Sequence, residues 1–329
     1  MIIPHGDNGG IRMVINRGSA LAAPLFVLLA LVSLSSCSSG EKERKLPEPE
    51  VEVGAARDAG DGQELRLPLD PYSASPVQAE ILDRAQGVLK AKCMKRYGFS
   101  YAPPPLPKTD PVEGIGNRYG ISDPAVAAKF GYGGPDAGVQ AEEPPLGEKE
   151  YFVLNGPDEL DPDSLPDSQE EVDALTAGGS AKMVNGVAVP PGGCLRESFL
   201  KLYAPQAGAV DIIFTQNLER ESFARSRSDS RVKEAASAWS ACMRKSGYEV
   251  SDPMNPGNEL NLTEDLSGEE AVATAVKDVD CKKRTNFIRR WFEVESAYQR
   301  EILEREAETL KKAKAEHEAR MRLAASLVK

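Results

Sequence analysis

Apolar residues recur at intervals of three and four in three long stretches of this chain, and that interval is typical of an amphipathic α-helix. The first stretch predicts a helix from about Val77 to Tyr97, the second lies between about Gln206 and Gly247, and the third starts near Ser267. Alternation of apolar and polar residues, which is typical of strands, is confined to one short segment. The pattern therefore predicts a mainly α protein.

The two longer stretches leave alternatives open. A polar interval from Arg225 to Arg231 is either a break between two helices or a solvated part of one helix. Ser267 and Glu270 form a capping box, which predicts that a long C-terminal helix begins there. Beyond Leu310 the apolar stripe thins into Glu-Ala-Lys composition, so this part is predicted to be a solvated helix that either projects from the domain or pairs with a partner helix.

The segment 105–190 is rich in Pro, Gly and Asp and predicts only short elements. An Asp-Pro pair at 123–124 supplies the N-cap and first residue typical of a helix. A capping box at 167–171 predicts a second short helix. Residues 182–189 predict a tight β-hairpin that turns at Asn185-Gly186.

One phrase of twelve residues occurs twice, from Cys93 to Pro104 and from Cys242 to Pro253. Both copies place Cys-Met, two basic residues, a glycine, an aromatic residue and a proline at the same offsets, 149 positions apart. In each copy the glycine, Gly98 or Gly247, stands where a left-handed residue commonly ends a helix. The match indicates an internal duplication that gives each half one cysteine at the end of a helix.

The first 36 residues have the layout of an export signal. Arg12 and Arg17 precede an apolar run from Ala20 to Val32, which is shorter than the roughly 20 residues that span a bilayer. The tetrapeptide Leu34-Ser35-Ser36-Cys37 follows, and it resembles the lipobox of bacterial lipoproteins. The resemblance implies that residues 1–36 are removed as a signal peptide and that the thiol of Cys37 carries a diacylglyceryl group, whose acyl chains anchor the protein to a membrane.

Residues 37–70 are predicted to form a flexible tether behind this anchor. The segment mixes charged residues with Gly, Ala and Pro and contains no aromatic residue, so it has little apolar surface to offset its ordering entropy. The folded part is then divided into a first helical half at 71–205, which includes the Pro/Gly-rich insertion, and a second helical half at 206–329, which ends in the long helix.

Four cysteines remain when Cys37 is assigned to lipid, and an even number outside the cytoplasm implies two disulfides with three possible pairings. If each half is a copy of one unit, the duplication selects Cys93 with Cys194 and Cys242 with Cys281. Each bond would then close one helical half. A zinc site built from these cysteines is not expected, because no two of them are closely spaced and the compartment is oxidising.

Charge and histidine content exclude several classes of function. Removal of residues 1–36 leaves 38 basic and 50 acidic residues, a net charge of −12. A surface this acidic argues against nucleic acid and against electrostatic docking to anionic lipid. The part after Cys37 has one histidine, His317, which argues against a Ser-His-Asp triad and excludes a metal site that needs two histidines from one chain.

The sequence predicts no catalytic residue, metal ligand or cofactor. Pairs of carboxylates of the kind that glycosidases use are uninformative in a chain with so many acids. The acidic loop 158–163 could attract calcium, but it lacks the Gly and Glu positions of an EF-hand loop. Both tryptophans, Trp239 and Trp291, fall on apolar helix faces rather than at an exposed sugar site. We therefore do not expect an enzyme.

The two Cys-Met phrases, with Pro191-Gly192-Gly193-Cys194 between them, resemble those of uncharacterised secreted lipoproteins of actinobacteria. The resemblance brings no known activity. We expect a lipid-anchored protein on the outer face of the cytoplasmic membrane that acts as a binding or scaffolding module, with an envelope or transporter protein as its partner. The insertion at 105–190 and the helix after Tyr298 are the expected contact surfaces. The alternatives are a solute-binding lipoprotein of a transporter and, after it, a cell-wall enzyme.

Overall fold

The computed structural model describes residues 50–53, 65–103, 117–133, 146–157, 165–177 and 182–329. These ranges are mainly helical, with a short 3-10 helix at Asp70–Tyr72 and one antiparallel hairpin of β1 (Met183–Val184) and β2 (Val187–Ala188). The helices are α1 (Pro76–Arg96), α2 (Pro124–Phe130), α3 (Glu148–Asn155), α4 (Gln169–Ala177), α5 (Gly193–Tyr203), α6 (Phe214–Ser228), α7 (Ser230–Lys245), α8 (Pro256–Glu259), α9 (Glu269–Arg284), α10 (Phe287–Arg305) and α11 (Ala307–Leu327). The predicted mainly α class, with a small hairpin and a long C-terminal helix, is confirmed.

Local signals place three elements where the sequence predicts them. Ser75 begins α1 with a capping box, because its hydroxyl accepts from the Gln78 N–H at 3.3 Å and the Gln78 side chain accepts from the Ser75 N–H at 3.0 Å. Asp123 caps α2 by accepting from two N–H groups of its first turn at 2.7 and 3.1 Å. Asn185 and Gly186 have φ values of 49° and 80°, as a two-residue hairpin turn requires.

The two copies of the repeat end their helices in the same way. After α1, the residues on either side of Gly98 both donate their N–H groups to the Met94 carbonyl, at 3.1 and 3.2 Å. After α7, the residues on either side of Gly247 both donate to the Met243 carbonyl, at 2.9 and 3.1 Å. The two glycines have φ values of 82° and 91°. The repeated phrase therefore encodes a repeated helix terminus.

The stretch predicted to be helical at 206–247 contains two helices and begins later than predicted. Helix α6 begins at Phe214, so residues 206–213 form a connection. Asp229 separates α6 from α7 in an extended conformation and caps α7. The polar interval is therefore a break between two helices. Its central residue Asp229 is buried, with 2% exposure, and accepts a hydrogen bond from the Tyr298 hydroxyl at 3.1 Å.

The third stretch is three helices rather than one. Asn286 separates α9 from α10 with a φ of 55°, a left-handed conformation that Asn tolerates, and Glu306 separates α10 from α11. The predicted capping box is wrong, because Gly268 is the N-cap residue of α9 and makes no side-chain cap. The Ser267 hydroxyl instead donates to the Phe130 carbonyl at 2.9 Å, which ties the start of α9 to the end of α2.

Two disulfides close the helical halves in the pairing that the duplication predicts. Cys93 bonds to Cys194 and joins α1 to α5, and Cys242 bonds to Cys281 and joins α7 to α9. The first bond lies in a buried cluster with side chains of α3 and the hairpin. The second lies in a separate cluster with Trp239.

The two halves also exchange elements. Residues 117–133 belong to the first half in sequence, yet α2 packs on α9, and Tyr119 lies in a buried cluster with Trp291 of α10. In the opposite direction α11 packs along α1 and contacts α5, and Ala324 is buried beside Leu82. Of the two alternatives left open for the last helix, projection from the domain is therefore wrong, because one face of α11 is covered by α1.

Part of the predicted tether is packed against the helices. Leu67 and Leu69 are 5% and 0% exposed, and Val51 and Val53 pack against the cluster around Trp291. Leu69 has a helical backbone conformation and lies in the turn that leads into the 3-10 helix at Asp70–Tyr72. A flexible tether therefore does not extend over the whole of 37–70.

The leader at 1–36, Cys37 and the acidic loop at 158–163 lie outside the described residues. In the part of the chain that the structure describes, no helix combines the length and the apolar composition that a membrane crossing requires.

Candidate functional site

One cluster of buried charge, centred on Glu295, is completely hydrogen-bonded. Glu295 of α10 is fully buried, and Arg118 pairs with its carboxylate through Nε at 3.0 and 3.1 Å. The same carboxylate accepts from three further donors, the Tyr119 hydroxyl at 2.8 Å, the Ser222 hydroxyl at 3.0 Å and the Gln299 amide at 3.1 Å. A carboxylate with this many donors holds the surrounding elements together and leaves no position for a ligand.

A second buried pair, Asp278 and Lys282 of α9, is satisfied in the same way. Asp278 accepts from the Trp239 indole at 2.8 Å and from the Lys282 ammonium at 3.1 Å. Lys282 also donates to the Ile121 carbonyl at 3.1 Å. Burial lowers the pKa of Lys282, and the adjacent carboxylate opposes that shift. The pair attaches the segment before α2 to α9.

The four predicted cysteines are structural. Cys93 and Cys194 are 3% and 0% exposed, so solvent does not reach this bond directly. Arg96 places Nη2 3.1 Å from the Sγ of Cys93, and Arg96 and Lys201 both pair with the Glu197 carboxylate. The structure holds the two disulfides in separate clusters and does not bring the repeated phrases together in one site.

A cleft of about 380 Å³ opens between α1, α6, α11 and the connection 204–213 that joins α5 to α6. We call it the Arg320 cleft. Its apolar and aromatic lining includes Tyr72, Leu82, Tyr203 and Ile212, and its charged lining is Asp83, Asp211, Glu219, Glu316, His317 and Arg320. A concave site of this volume, with apolar walls and a few polar groups, is typical of small-molecule binding.

A second cleft of about 450 Å³ shares part of this lining. Tyr203, Glu316 and Arg320 line both clefts. The two clefts are therefore neighbours that meet at these three residues.

The connection 204–213 is attached to α11 by two hydrogen bonds. The Val210 N–H donates to the Glu316 carboxylate at 3.0 Å, and the Lys312 ammonium donates to the Gly208 carbonyl at 2.6 Å. Gly208 has a φ of 74° and nothing within 4 Å of the position of a Cβ atom, so the turn is open to solvent. The connection thus forms one rim of the cleft and leaves the cleft open to solvent.

Arg320 is partly buried, and its Nε has no acceptor among the described residues. Its guanidinium lies 4.7 Å from the centre of the Tyr203 ring. Its Nε is buried without a hydrogen-bond partner, and it forms no ion pair with any residue of the described ranges. Burial lowers the pKa of Arg320, and the nearby Tyr203 and Glu316 oppose that shift. The Nε of this cation has thus lost contact with water without gaining a hydrogen-bond acceptor among the described residues.

His317 also has a nitrogen without a partner among the described residues. Its Nε2 is buried and makes no hydrogen bond to a described residue. Burial, followed by the positive charge of Arg320, lowers the pKa of His317 from its ordinary value of 6.5. The lowered pKa favours the neutral imidazole at neutral pH, and the His317 side chain is part of the lining of the cleft.

The acids of the cleft, by contrast, accept hydrogen bonds from the protein or are exposed to solvent. Glu316 accepts from the connection, Asp211 accepts from the Ile213 N–H at 3.0 Å, and Glu219 accepts from the Ser73 hydroxyl at 2.5 Å. Asp83 is exposed and solvated. The unmet hydrogen-bonding capacity of the cleft thus resides in Arg320 and His317.

The sequence does contain a signal for these two residues. Five positions of α11 follow the 3-4 spacing of an inward helix face: Leu310, Ala313, His317, Arg320 and Ala324. Leu310 and Ala324 are 1% and 0% exposed, which shows that this face is covered. The prediction of a solvated helix overlooked the face, because two of its five positions are polar.

The described residues contain no group of three or more metal-ligating side chains that could hold an ion. Comparison of the chain with protein-family models, with curated proteins and with solved structures gives no match. The fold and the cleft thus define a disulfide-bonded, mainly helical protein with a concave site that contains an unpaired cation.

Proposed function

We propose that this protein is a lipid-anchored binding module on the outer face of the cytoplasmic membrane. The leader and the tetrapeptide Leu34-Ser35-Ser36-Cys37 support export, removal of residues 1–36 and lipidation of Cys37. The two disulfides are consistent with this location, because such bonds persist in oxidising compartments.

Binding takes place in the Arg320 cleft. The observation that carries this proposal is the partly buried guanidinium of Arg320, which lines the cleft and forms no ion pair with a described residue, so that a ligand is free to supply its counterion. The Glu295 cluster shows that this fold elsewhere provides several donors for one buried charge. The Arg320 guanidinium has no comparable set of partners among the described residues.

A solute-binding lipoprotein of a transporter is the second candidate. The volume of the cleft favours it, because a space of about 380 Å³ suits a small molecule better than a protein segment. The two candidates differ in the mass of the bound species, since a scaffold would capture a protein chain and a solute-binding protein would capture a small compound.

Photo-crosslinking in growing cells tests the proposal and separates the candidates. A photo-crosslinking amino acid replaces Gln216, an exposed residue that lines the cleft, and the matched control places it at Glu234, an exposed residue of α7 outside the cleft. We expect an adduct at position 216 and none at 234. A mass increase of a small molecule supports the solute-binding candidate, and that of a protein supports the scaffold. Equal labelling at both positions, or none at either, would contradict binding in the cleft.

A further inference from the structure

We propose that residues 50–53 form a detachable clip, which sets how much chain separates the lipid anchor from the helical domain. The inference rests on one part of the proposed function, the anchoring through Cys37, and is independent of the Arg320 cleft. The clip begins at Glu50, 13 positions after Cys37. It is therefore the first described part of the chain that follows the proposed anchor.

The clip is docked at the break between α6 and α7. The Glu50 carboxylate accepts from the Ser230 N–H at 2.7 Å and from the Ser230 hydroxyl at 2.8 Å. Ser230 is the first residue of α7, where N–H groups lack acceptors within the helix and the helix dipole favours a negative charge. Glu50 thus contributes a second carboxylate to the start of α7, beside the N-cap residue Asp229.

Arg231 holds the backbone of the clip. Its Nη2 donates to the Val51 carbonyl at 3.0 Å. The same guanidinium pairs with the Asp229 carboxylate through Nη2 at 2.6 Å and Nε at 2.8 Å, and Asp229 is buried and accepts from the Tyr298 hydroxyl. The position of this donor is therefore set by the helices and not by the clip.

The apolar contacts of the clip are incomplete. Val51 and Val53 pack against the buried cluster that contains Trp291, but both valines remain partly exposed. Glu52, which lies between them, is exposed. Because hydrophobic stabilisation is roughly proportional to the apolar area removed from water, these two valines contribute less than fully buried ones.

Contacts of this kind permit release. Holding the clip in one conformation costs backbone entropy, and the hydrogen bonds of Glu50 that offset it are exposed to solvent. The chain is held more firmly further on, where Leu67 and Leu69 are 5% and 0% exposed and the Leu69 N–H donates to the Gln299 amide oxygen at 2.9 Å. The clip is thus the weaker of the two attachments.

Release changes the length of chain between the anchor and the domain. With the clip docked, the 13 positions from Cys37 to Glu50 span at most roughly 45 Å when fully extended. With the clip released, the next buried residue among the described ones is Leu67. It lies 30 positions from Cys37, a length that spans at most roughly 100 Å. The clip therefore gives the anchored domain a short and a long reach.

Fluorine NMR of the full chain, purified in detergent, measures the docking. 5-Fluorotryptophan is placed at Trp291, beside the clip, or in a separate sample at Trp239, which lies in another cluster and serves as the internal control. The variant with both Val51→Asp and Val53→Asp defines the released state, because a charge is costly against an apolar cluster. We expect this variant to move the Trp291 signal and to leave the Trp239 signal in place, which also shows that the fold is retained.

Matched substitutions of neighbouring acids attribute the docking to Glu50. We expect Glu50→Gln to lower the ratio of docked to released clip at least about threefold, because it removes the negative charge at the start of α7. The exposed Glu52→Gln should change this ratio less than about twofold. In a urea titration of the unmodified chain, the Trp291 signal should reach its released position before the Trp239 signal changes.

Energy transfer to the membrane measures the reach. The lipidated chain, with a donor dye at the exposed position Glu234 of α7, is placed in vesicles whose surface lipids carry an acceptor dye. We expect less transfer in the variant with Val51→Asp and Val53→Asp than in the unmodified chain, because more chain then separates the lipid from the domain.

Three results would overturn the clip: an unmoved Trp291 signal in the double Asp variant, equal effects of Glu50→Gln and Glu52→Gln, or release that coincides with global unfolding. Equal energy transfer in the two proteins would overturn its role in reach. A chain without lipid on Cys37 would instead overturn the proposed anchoring and the reach together, whereas the Trp291 signal would still show whether the clip docks.

Discussion

Arg118 and Glu295 are 177 residues apart in sequence and form a two-oxygen ion pair in the interior. Arg118 comes from the segment that the sequence predicts as a loop-rich insertion, and Glu295 lies in the middle of α10. The carboxylate is fully buried. This pair fastens the insertion to the second helical half, so its loss should affect the whole fold.

Glu295→Gln should lower the free energy of unfolding by about 3–5 kcal/mol, because it leaves the Arg118 guanidinium partly buried without its counterion. Urea unfolding followed by circular dichroism measures the change. The control is Glu293→Gln on the same helix, where a partly exposed i,i+4 pair with Arg289 should contribute less than about 1 kcal/mol. Equal effects of the two substitutions would contradict the structural role of Glu295.

Loss of either disulfide should also destabilise the protein, and the longer loop should matter more. In the chain-entropy model, the bond between Cys242 and Cys281, 39 positions apart, contributes about 4 kcal/mol. The bond between Cys93 and Cys194, 101 positions apart, contributes slightly under about 5 kcal/mol by the same calculation. Double Cys→Ser variants of each bond, compared by urea unfolding, measure the two contributions. Unchanged midpoints in both variants would show that neither bond contributes to stability.

Burial of His317 predicts a pH dependence of stability. The pKa of this imidazole is lowered in the folded state from the ordinary 6.5, so the unfolded chain takes up a proton first as the pH falls. The contribution of the neutral imidazole is therefore present above about pH 6.5 and is lost as the pH decreases toward the lowered pKa. The unfolding free energy of the unmodified protein minus that of His317→Gln should therefore decrease as the pH is lowered from about 7.5 to about 5.5. A difference that grows over that range would refute the burial of His317.

Arg320 should behave unlike Glu295 when it is replaced. Arg320→Met keeps an unbranched apolar side chain beside Tyr203 and removes a cation that has no acceptor. The substitution weakens the contact with the Tyr203 ring, which lowers the unfolding free energy, and it removes the desolvation cost of the guanidinium, which raises it. The two effects are of similar size. We expect the unfolding free energy to change by less than about 1 kcal/mol, or to rise. Urea unfolding in the absence of ligand measures this. A decrease of about 3 kcal/mol or more, as expected for Glu295→Gln, would show that Arg320 is a structural residue.

Much of the local structure could be predicted from sequence because the signals are themselves local. The Asp-Pro pair at 123–124, the Asn185-Gly186 turn and the glycines that end α1 and α7 each act on residues within one turn of the chain. The disulfide pairing followed from the duplication, which depends on sequence similarity alone. The burial of Tyr119 could not be predicted in this way, because its partners Trp291 and Glu295 come from a distant helix.

The candidate site could not be predicted for a similar reason. His317 and Arg320 lie on a helix whose composition is typical of a solvated one, and the surface that covers it comes from α1 and the connection 204–213. Helix α5 was not predicted either, since its start at Gly193 follows a Pro-Gly-Gly run that indicates a turn. In both cases contacts from other parts of the chain outweighed local composition.

Anchoring of the protein to a membrane through Cys37 can be measured by the intact mass of the chain extracted from the membranes of a bacterium that produces it. We expect a polypeptide that begins at Cys37, carries a diacylglyceryl group on that residue and retains both disulfides. A chain that begins at another residue, or that begins at Cys37 without lipid, would contradict the proposed anchoring.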